Sequence, residues 1–289
     1  MKTKFLLFVS LLSISIFIGC STDESANVSV TLKTITTDDA IANSEIDTTV
    51  DDVSIIAEDQ FEMQKSIVAK TSAGMKSILP PCATVTTVLT DDNWIRTIDF
   101  GTQGCALPNG NVLKGKIIVS FSKNFTTPIK TISYTLEEFY HNGKLIEGSR
   151  TISHELKSTD LLTALHPVTT HSVDVKITFS DGKIYTRIGT RVREMVEGFA
   201  TFANWEDNVF KVWGYNITTF PNGSKYTFTI QKTRPLLIKM SCKMPFPVSG
   251  IEEITKNEGK ATLDYGVGEC DKLATLTINE VTKEIVLKK

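Results

Sequence analysis

From Cys82 to the C-terminus, apolar and polar residues alternate in runs, a pattern typical of β-strands whose two faces differ. Turn-forming pairs separate these runs at Asn142-Gly143, Asp181-Gly182 and Asn222-Gly223, and Asn-Gly or Asp-Gly between alternating runs is the strongest short-range hairpin signal. A parallel sheet is excluded because no crossover helices separate the runs. The sequence therefore predicts an all-β domain, in which an antiparallel meander of long hairpins forms a large twisted, rolled or two-layer sheet.

The alternation also gives approximate strand bounds. Runs are predicted at Ala83–Thr90, Trp94–Phe100, Val112–Ser122, Ile129–His141, Lys144–Leu156, Val173–Phe179, Lys183–Val196, Asn208–Phe220, Lys225–Lys232, Leu236–Lys243, Ala261–Tyr265, Leu273–Ile278 and Glu284–Leu287. The less regular segment Lys157–Pro167 is expected to hold one helical turn. Pro245 and Pro247 are expected to form a loop.

Residues 36–79 form the part of the chain with helical spacing, and they predict a short helical N-terminal region ahead of the β-rich domain, residues 80–289. Thr37-Asp38-Asp39 offers N-cap chemistry for a first short helix, and a longer one is expected to begin at Val50 or Asp51. This region is expected to lie against the β domain or the membrane-proximal face. Pro80-Pro81 ends any helix, and it predicts a domain boundary.

The N-terminus carries an export signal. Lys2 and Lys4 precede the apolar run Phe5–Ile18, which is too short to span a bilayer, since a span needs about 20 residues, and has the length of a signal-peptide core. Residues 1–19 are therefore predicted to be a signal peptide. Residues 20–35 are small, polar and acidic, which predicts a flexible tether.

The signal ends in Phe17-Ile-Gly-Cys20, which resembles the lipobox of bacterial lipoproteins, with Phe17 where Leu is usual. With the segments Thr97–Cys105 and Leu263–Cys270, this pattern resembles predicted lipoproteins of the Bacteroidota. The resemblance implies that Cys20 carries lipid and that the protein is anchored in the outer membrane, on the periplasmic or the cell-surface side. It implies no activity.

Four cysteines remain once Cys20 is assigned to lipid, and an even number in an exported protein predicts disulfides. Three pairings are open. Nearest neighbours, Cys82–Cys105 and Cys242–Cys270, are favoured because each pair frames one copy of a repeated motif: Asp, aromatic residue, Gly, a second Gly, then Cys. In that motif, Asp99 and Asp264 are expected to be turn residues. Asp99-Phe-Gly101 matches the Asp-Phe-Gly motif of protein kinases, but the sequence lacks the glycine-rich loop and the His-Arg-Asp segment that accompany it.

The sequence offers little for catalysis. It contains no nucleophile elbow, phosphate-binding loop or zinc-binding helix, and no metal site or cofactor is predicted. The adjacent pairs Glu137-Glu138 and Glu252-Glu253 would point to opposite faces of a strand. The four histidines, at positions 141, 154, 166 and 171, are expected to be solvated residues at turns and strand ends. An enzyme is therefore the least favoured class.

A binding role is favoured instead. In the run Lys183–Val196, Ile184 and Ile188 are expected to face the core, with Val192 and Val196. The opposite face, with Arg187, Arg191, Arg193 and also Lys176, is a candidate surface for acidic glycans or lipid headgroups, although a merely solvated face is the commoner explanation.

Four aromatic residues are candidates for stacking on sugar rings: Trp94, Trp205, Trp213 and Tyr215. Packing in the core is the commoner role of such residues. A formal net charge of −2 gives no attraction for nucleic acid. The sequence predicts a membrane-anchored protein that binds a glycan or envelope protein without catalysis. The alternative is a carrier or assembly factor whose sheet holds a lipid or protein in an apolar groove.

Overall fold

A single long helix, α1 (Thr37–Val68), is the first element of the structure, a computed structural model that describes residues 34–71, 75–201 and 204–288. The predicted signal peptide, Cys20 and most of the predicted tether lie outside the described residues. The helix begins with a capping box: the Thr36 hydroxyl accepts from the Asp39 backbone N–H at 3.2 Å, and the Asp39 carboxylate accepts from the Thr36 N–H at 2.8 Å. The expectation of two helices is wrong, because α1 continues through Asn43–Thr49.

Fifteen strands follow, and they form one antiparallel sheet. In chain order they are β1 (Thr84–Leu89), β2 (Asn93–Asp99), β3 (Cys105–Ala106), β4 (Val112–Ser122), β5 (Ile129–His141), β6 (Lys144–Lys157), β7 (His166–Thr178), β8 (Ile184–Glu197), β9 (Val209–Thr219), β10 (Lys225–Ile230), β11 (Leu236–Lys239), β12 (Ser249–Lys256), β13 (Gly259–Val267), β14 (Leu273–Ile278) and β15 (Val281–Val286). Short 3-10 helices lie at Trp205–Asp207 and Met240–Cys242.

The strand order is that of a meander, so the predicted fold class is confirmed. Neighbouring strands run β1-β2-β4-β5-β6-β7-β8-β9-β10-β12-β13-β14-β15, with β3 added beside β4 and β11 placed between β9 and β12. Two local predictions fail. Residues 158–165 hold no helical turn, because β7 begins earlier, at His166. Strand β12 was not predicted, since prolines precede it and its central Glu252-Glu253 weakens the alternation.

The sheet curls around α1, which therefore fills its inner face. Side chains of α1 contact strands from β2 to β12: Gln60 accepts from Arg96 at 3.1 Å, and Asn43 donates to Glu252 at 2.7 Å. Apolar residues on both elements share one core, in which the Phe61 ring lies 5.1 Å from that of Phe121. Residues from Thr34 onward form one compact unit, so Pro80-Pro81 joins the helix to the sheet and is not a domain boundary.

The two copies of the cysteine motif form the two favoured disulfides, but their strands differ. Cys82 is bonded to Cys105 and Cys242 to Cys270, with Cα atoms 5.7 and 5.4 Å apart. The Asp99 carboxylate accepts from the Gly101 N–H at 2.8 Å, and Asp264 does the same for Gly266 at 2.9 Å. Asp99 is the last residue of β2 and precedes the turn at Gly101, as predicted. Asp264 lies within β13 and pairs with Thr275 of β14, so the expectation of a turn there is wrong: β13 continues to Val267 because β12 still pairs with it at that point. One disulfide joins the segment before β1 to β3, and the other joins the 3-10 helix after β11 to the segment after β13.

Candidate functional site

The predicted basic surface is divided between the two faces of the sheet. Arg187, Arg191 and Arg193 point inward toward α1, and their side chains are 0%, 4% and 3% exposed. Lys176 points outward and pairs with Glu147 at 2.7 Å. The predicted orientation of β8 is thus inverted: Ile184 and Ile188 are the exposed residues, at 48% and 52%. The expectation of an exposed ligand surface is wrong for the three arginines, because α1 supplies carboxylates that make it favourable to bury them.

At the centre of the inner face, two arginines share two carboxylates. Arg187 donates to Asp47 and Asn43 on α1, and also to the Thr218 hydroxyl at 2.9 Å. Arg191 donates to Asp47 at 3.1 Å and to Glu252 of β12 at 2.8 Å. An ion pair this deeply buried is tolerable only when nearly every donor and acceptor is satisfied.

Two glycines leave the space that these arginines need. A Cβ on Gly189 would lie 2.4 Å from the Asn216 side chain, and one on Gly214 would lie 2.8 Å from the Cα of Arg191. With its amide oxygen turned toward the arginine, Asn216 accepts from Arg191 Nε at 2.8 Å. The glycines on β8 and β9 therefore permit the close strand packing that brings Arg191 to its partners.

Burial and neighbouring charge move the pKa values of the central carboxyls in opposite directions. Burial raises the pKa of Asp47, but attraction to Arg191 and Arg187 outweighs it, so that its pKa lies below the usual range. Burial, reinforced by the charge of Asp47, raises the pKa of Glu252 to about 8. Asp47 is therefore the more readily ionised partner of the two arginines, and Glu252 releases its proton less readily than an exposed glutamate does.

A second cluster lies further along α1. Arg193 donates to Glu58 at 2.5 Å, and His171 Nε2 lies 3.1 Å from the same carboxylate. Burial alone would raise the pKa of Glu58, but Arg193 and His171 lower it to about 2. Burial also lowers the pKa of His171, and it lowers that of His154, which lies 3.5 Å from Glu62.

All four histidines are buried, so their predicted place at solvated turns is wrong. Each one faces a carboxylate. His141 Nε2 lies 2.8 Å from Asp52, and His166 Nε2 lies 3.0 Å from Glu194. In the described residues, no group of three or more His, Cys, Asp or Glu side chains is placed to hold a metal ion. These carboxylate–histidine contacts join α1 to the sheet or β7 to β8.

An apolar cleft opens beside the second cluster. It has a volume of about 80 Å³ and is lined by Ile55, Ile78, Trp205, Phe210 and Met240, among others. A hollow of about 30 Å³ adjoins it and shares four of these residues. Nε and Nη1 of Arg193, which also lines the cleft, have no hydrogen-bond partner among the described residues. The cleft thus combines apolar walls with charged side chains, since Glu58, Asp59 and Glu62 also line it.

The outer face of the sheet carries a row of hydroxyl side chains along matched cross-strand positions. The row runs through Ser120, Ser133, Thr151, Ser172, Thr190, Tyr215, Thr229, Thr262, Thr277 and Thr282, and Glu253 interrupts it between Thr229 and Thr262. Tyr215 is 48% exposed between Thr190 and Thr229. Trp213 is half-buried on the same face, and Lys232 Nζ lies 5.4 Å from the centre of its ring. Two aromatic rings thus lie beside a surface rich in hydroxyls.

The other two tryptophans do not contribute to this surface. Trp94 packs against the core, and Trp205 lines the cleft. None of the helices in the described ranges has the length and apolar character that crossing a bilayer requires. The chain matches no protein-family model, no curated protein and no solved structure.

Arg187→Met is expected to reduce the free energy of unfolding by about 3–5 kcal/mol, because it leaves Asp47 with one cation fewer in a buried site. Lys176→Met, on the outer face, is expected to change it by less than about 1 kcal/mol. Urea denaturation of both variants measures the difference. Equal stability of the two variants would contradict the structural role of Arg187.

Glu252 is expected to make folding stability depend on pH. Its pKa rises from 4.5 to about 8 on folding, so the folded state binds more protons between these values. The free energy of unfolding should therefore fall as pH rises through this window, by up to about 1.4 kcal/mol per pH unit. Glu252→Gln should remove the part of this slope above about pH 6, because Asp51, whose pKa is raised to about 6 by burial, contributes only below that pH. Glu253→Gln, on the outer face, should keep the whole slope. Parallel curves for wild type and Glu252→Gln in urea denaturation would contradict the assignment.

Proposed function

We propose that the protein is an outer-membrane lipoprotein of the kind found in the Bacteroidota, anchored by lipid on Cys20, and that it binds an envelope glycan without catalysis. The glycan would lie on the outer face of the sheet, across Tyr215 and Trp213. The observation that carries this proposal is the exposed Tyr215 ring between Thr190 and Thr229.

Sugar recognition needs a flat apolar ring against which a pyranose can stack, and polar groups near its edge. Tyr215 and Trp213 are two residues apart on β9, so their Cα atoms lie about 7 Å apart along the strand on one face. One oligosaccharide can therefore contact both rings, while the hydroxyls of Thr190 and Thr229 exchange hydrogen bonds with the sugar.

The same geometry argues for binding rather than catalysis. The acid and base side chains that could act together are buried at the inner face and paired with one another, as Arg191 is with Glu252 and Arg193 with Glu58. On the outer face, Lys176 and Glu147 pair with each other in solvent. Such exposed pairs supply little driving force for proton transfer or for stabilising a transition state.

Tyr215→Ala in the fragment 34–289 is expected to weaken glycan binding by roughly 3- to 10-fold, because it removes the exposed stacking surface. Co-sedimentation with purified peptidoglycan and a glycan array measure the loss. Tyr140→Ala is the matched control, since Tyr140 is also exposed but lies on β5. If wild type binds neither probe, or if both variants bind equally, glycan binding on this face is contradicted.

A second candidate function, a carrier for an amphipathic small molecule, is favoured by the apolar cleft. Its volume of about 80 Å³ suits a short apolar group or a headgroup and not a whole acyl chain. Charged side chains line the same cleft, with Arg193 and Lys76 beside three carboxylates, which favours a ligand that has a polar headgroup as well as an apolar part.

Met240→Trp is expected to fill the cleft and to remove any amphipathic molecule that copurifies with the protein. Organic extraction followed by mass spectrometry gives the readout. Val267→Trp, at a position that is 94% exposed, is the control and should retain the ligand. Extracts of wild type without an amphiphile would count against the carrier role.

A further inference from the structure

Strand β1 is an edge that lacks the usual protection. In the described part of the chain it pairs with β2 alone, and all six of its side chains, Thr-Val-Thr-Thr-Val-Leu, are exposed. It contains no charge, no proline and no bulge, which are the features that keep edge strands from pairing with other chains. The opposite edge, β15, does carry charges, at Lys283 and Glu284.

The direction of the free hydrogen-bonding groups of β1 follows from its hairpin with β2. The Thr90 N–H donates to the Asn93 carbonyl at 2.8 Å. Residues whose backbone groups face β2 alternate with residues whose groups face away. Counting back from Thr90 along the observed register, Val85, Thr87 and Leu89 direct their N–H and C=O groups away from the sheet.

We propose that β1 pairs with β1 of a second copy of this chain, antiparallel and centred on Thr87. Thr87 then lies opposite Thr87 of the second copy, and Val85 lies opposite Leu89. Each of these facing pairs exchanges two backbone hydrogen bonds. The result is a two-fold dimer in which the sheets of both copies are continuous.

The sequence of β1 favours a second copy as the occupant because this register is self-complementary. It uses all three outward-facing residues of both strands, and it places the apolar Val85 and Leu89 side chains together on one face. A shift of two residues would leave an outward-facing residue without a partner and would place Val85 opposite Thr87. Strand β1 of a second copy therefore pairs with all the outward-facing backbone groups of β1 and also matches its apolar side chains.

The neighbouring charges are compatible with this arrangement. In the proposed register, the acidic turn Asp91-Asp92 of one copy comes opposite Cys82-Ala83 of the other, which carries no charge. The strand itself is neutral, so two copies do not repel each other. One strand pair is a small interface, so the dimer is expected to be weak, in the micromolar-to-millimolar range.

Sedimentation equilibrium of the fragment 34–289 tests the proposal, because this fragment contains the whole compact unit. The wild-type fragment should show a monomer–dimer equilibrium at concentrations up to about millimolar. Thr87→Pro should raise the dissociation constant at least about tenfold, since it removes an outward-facing N–H that the monomer does not use. Thr282→Pro, at an exposed position of the other edge, should leave it unchanged.

A cysteine at the two-fold axis reports the register directly and does not depend on the proline variant folding. Thr87→Cys should form an intermolecular disulfide under mild oxidation, because facing Cα atoms of a hydrogen-bonded pair lie about 5.5 Å apart. Val85→Cys, which would face Leu89, should cross-link much more slowly. A monomeric wild type, a dimer insensitive to Thr87→Pro, a dimer lost in Thr282→Pro, or equal cross-linking at positions 85 and 87 would each overturn the proposal.

Discussion

The burial of the acidic side chains of α1 against arginine and histidine is the interaction on which the structure depends. The helix carries nine carboxylates and one lysine, which would make it a poor helix in isolation and an unfavourable guest in an apolar core. The inner face of the sheet supplies Arg187, Arg191 and Arg193 in a row. Because an unpaired buried charge costs several kcal/mol, the helix fits only where buried carboxylates such as Asp47, Asp52 and Glu58 meet a cation or a donor.

This constraint determines which surfaces remain for function. A sheet of this curvature could have held a lipid or a peptide on its inner face, but α1 occupies that face with paired charges and apolar side chains. The surfaces that α1 leaves open include the outer face around Tyr215, the small cleft beside Arg193, and the edge of β1. The three surfaces differ in character: the first is polar with two aromatic rings, the second combines apolar and charged side chains, and the third offers backbone groups.

Local signals in the sequence predicted the meander well. The bounds of β4 and β5 match residue for residue, because Asn-Gly turns and clean alternation act within a few residues. The alternation could not say which face of β8 is inside. Ile184 and Ile188 are apolar, as core residues usually are, yet they are exposed. The arginines on the opposite face are buried instead, because they pair with carboxylates on α1, well over a hundred residues earlier in the chain. The excess of acidic residues in α1, together with three arginines in β8, is the sequence signal that could have revealed which face of β8 is buried.

The same distance in sequence explains why the histidines, the central cluster and β12 were missed. His141, His154 and His171 each find their carboxylate on α1, and no local pattern encodes such a contact. In the sequence, Glu252 does not differ from its neighbour Glu253. In the structure, β12 directs Glu252 toward Arg191 and Glu253 toward the outer face. The turn after Asp99, by contrast, depends on residues two positions apart and was predicted correctly, whereas Asp264 of the second motif lies within β13.

The contact between Asn43 and Glu252 joins two residues separated by 209 positions. During synthesis from the N-terminus, α1 is made first. The arginines of β8 and the glutamate of β12, which contact it in the folded protein, are made later. The middle and the C-terminal half of the helix find partners in early strands, as Phe61 does in β4 and Asp52 in β5, but Asn43 needs residues of β8 and β12. A chain cut short before β12 would therefore lack Glu252, the common partner of Arg191 and Asn43. We expect such a chain to remain open to proteolysis.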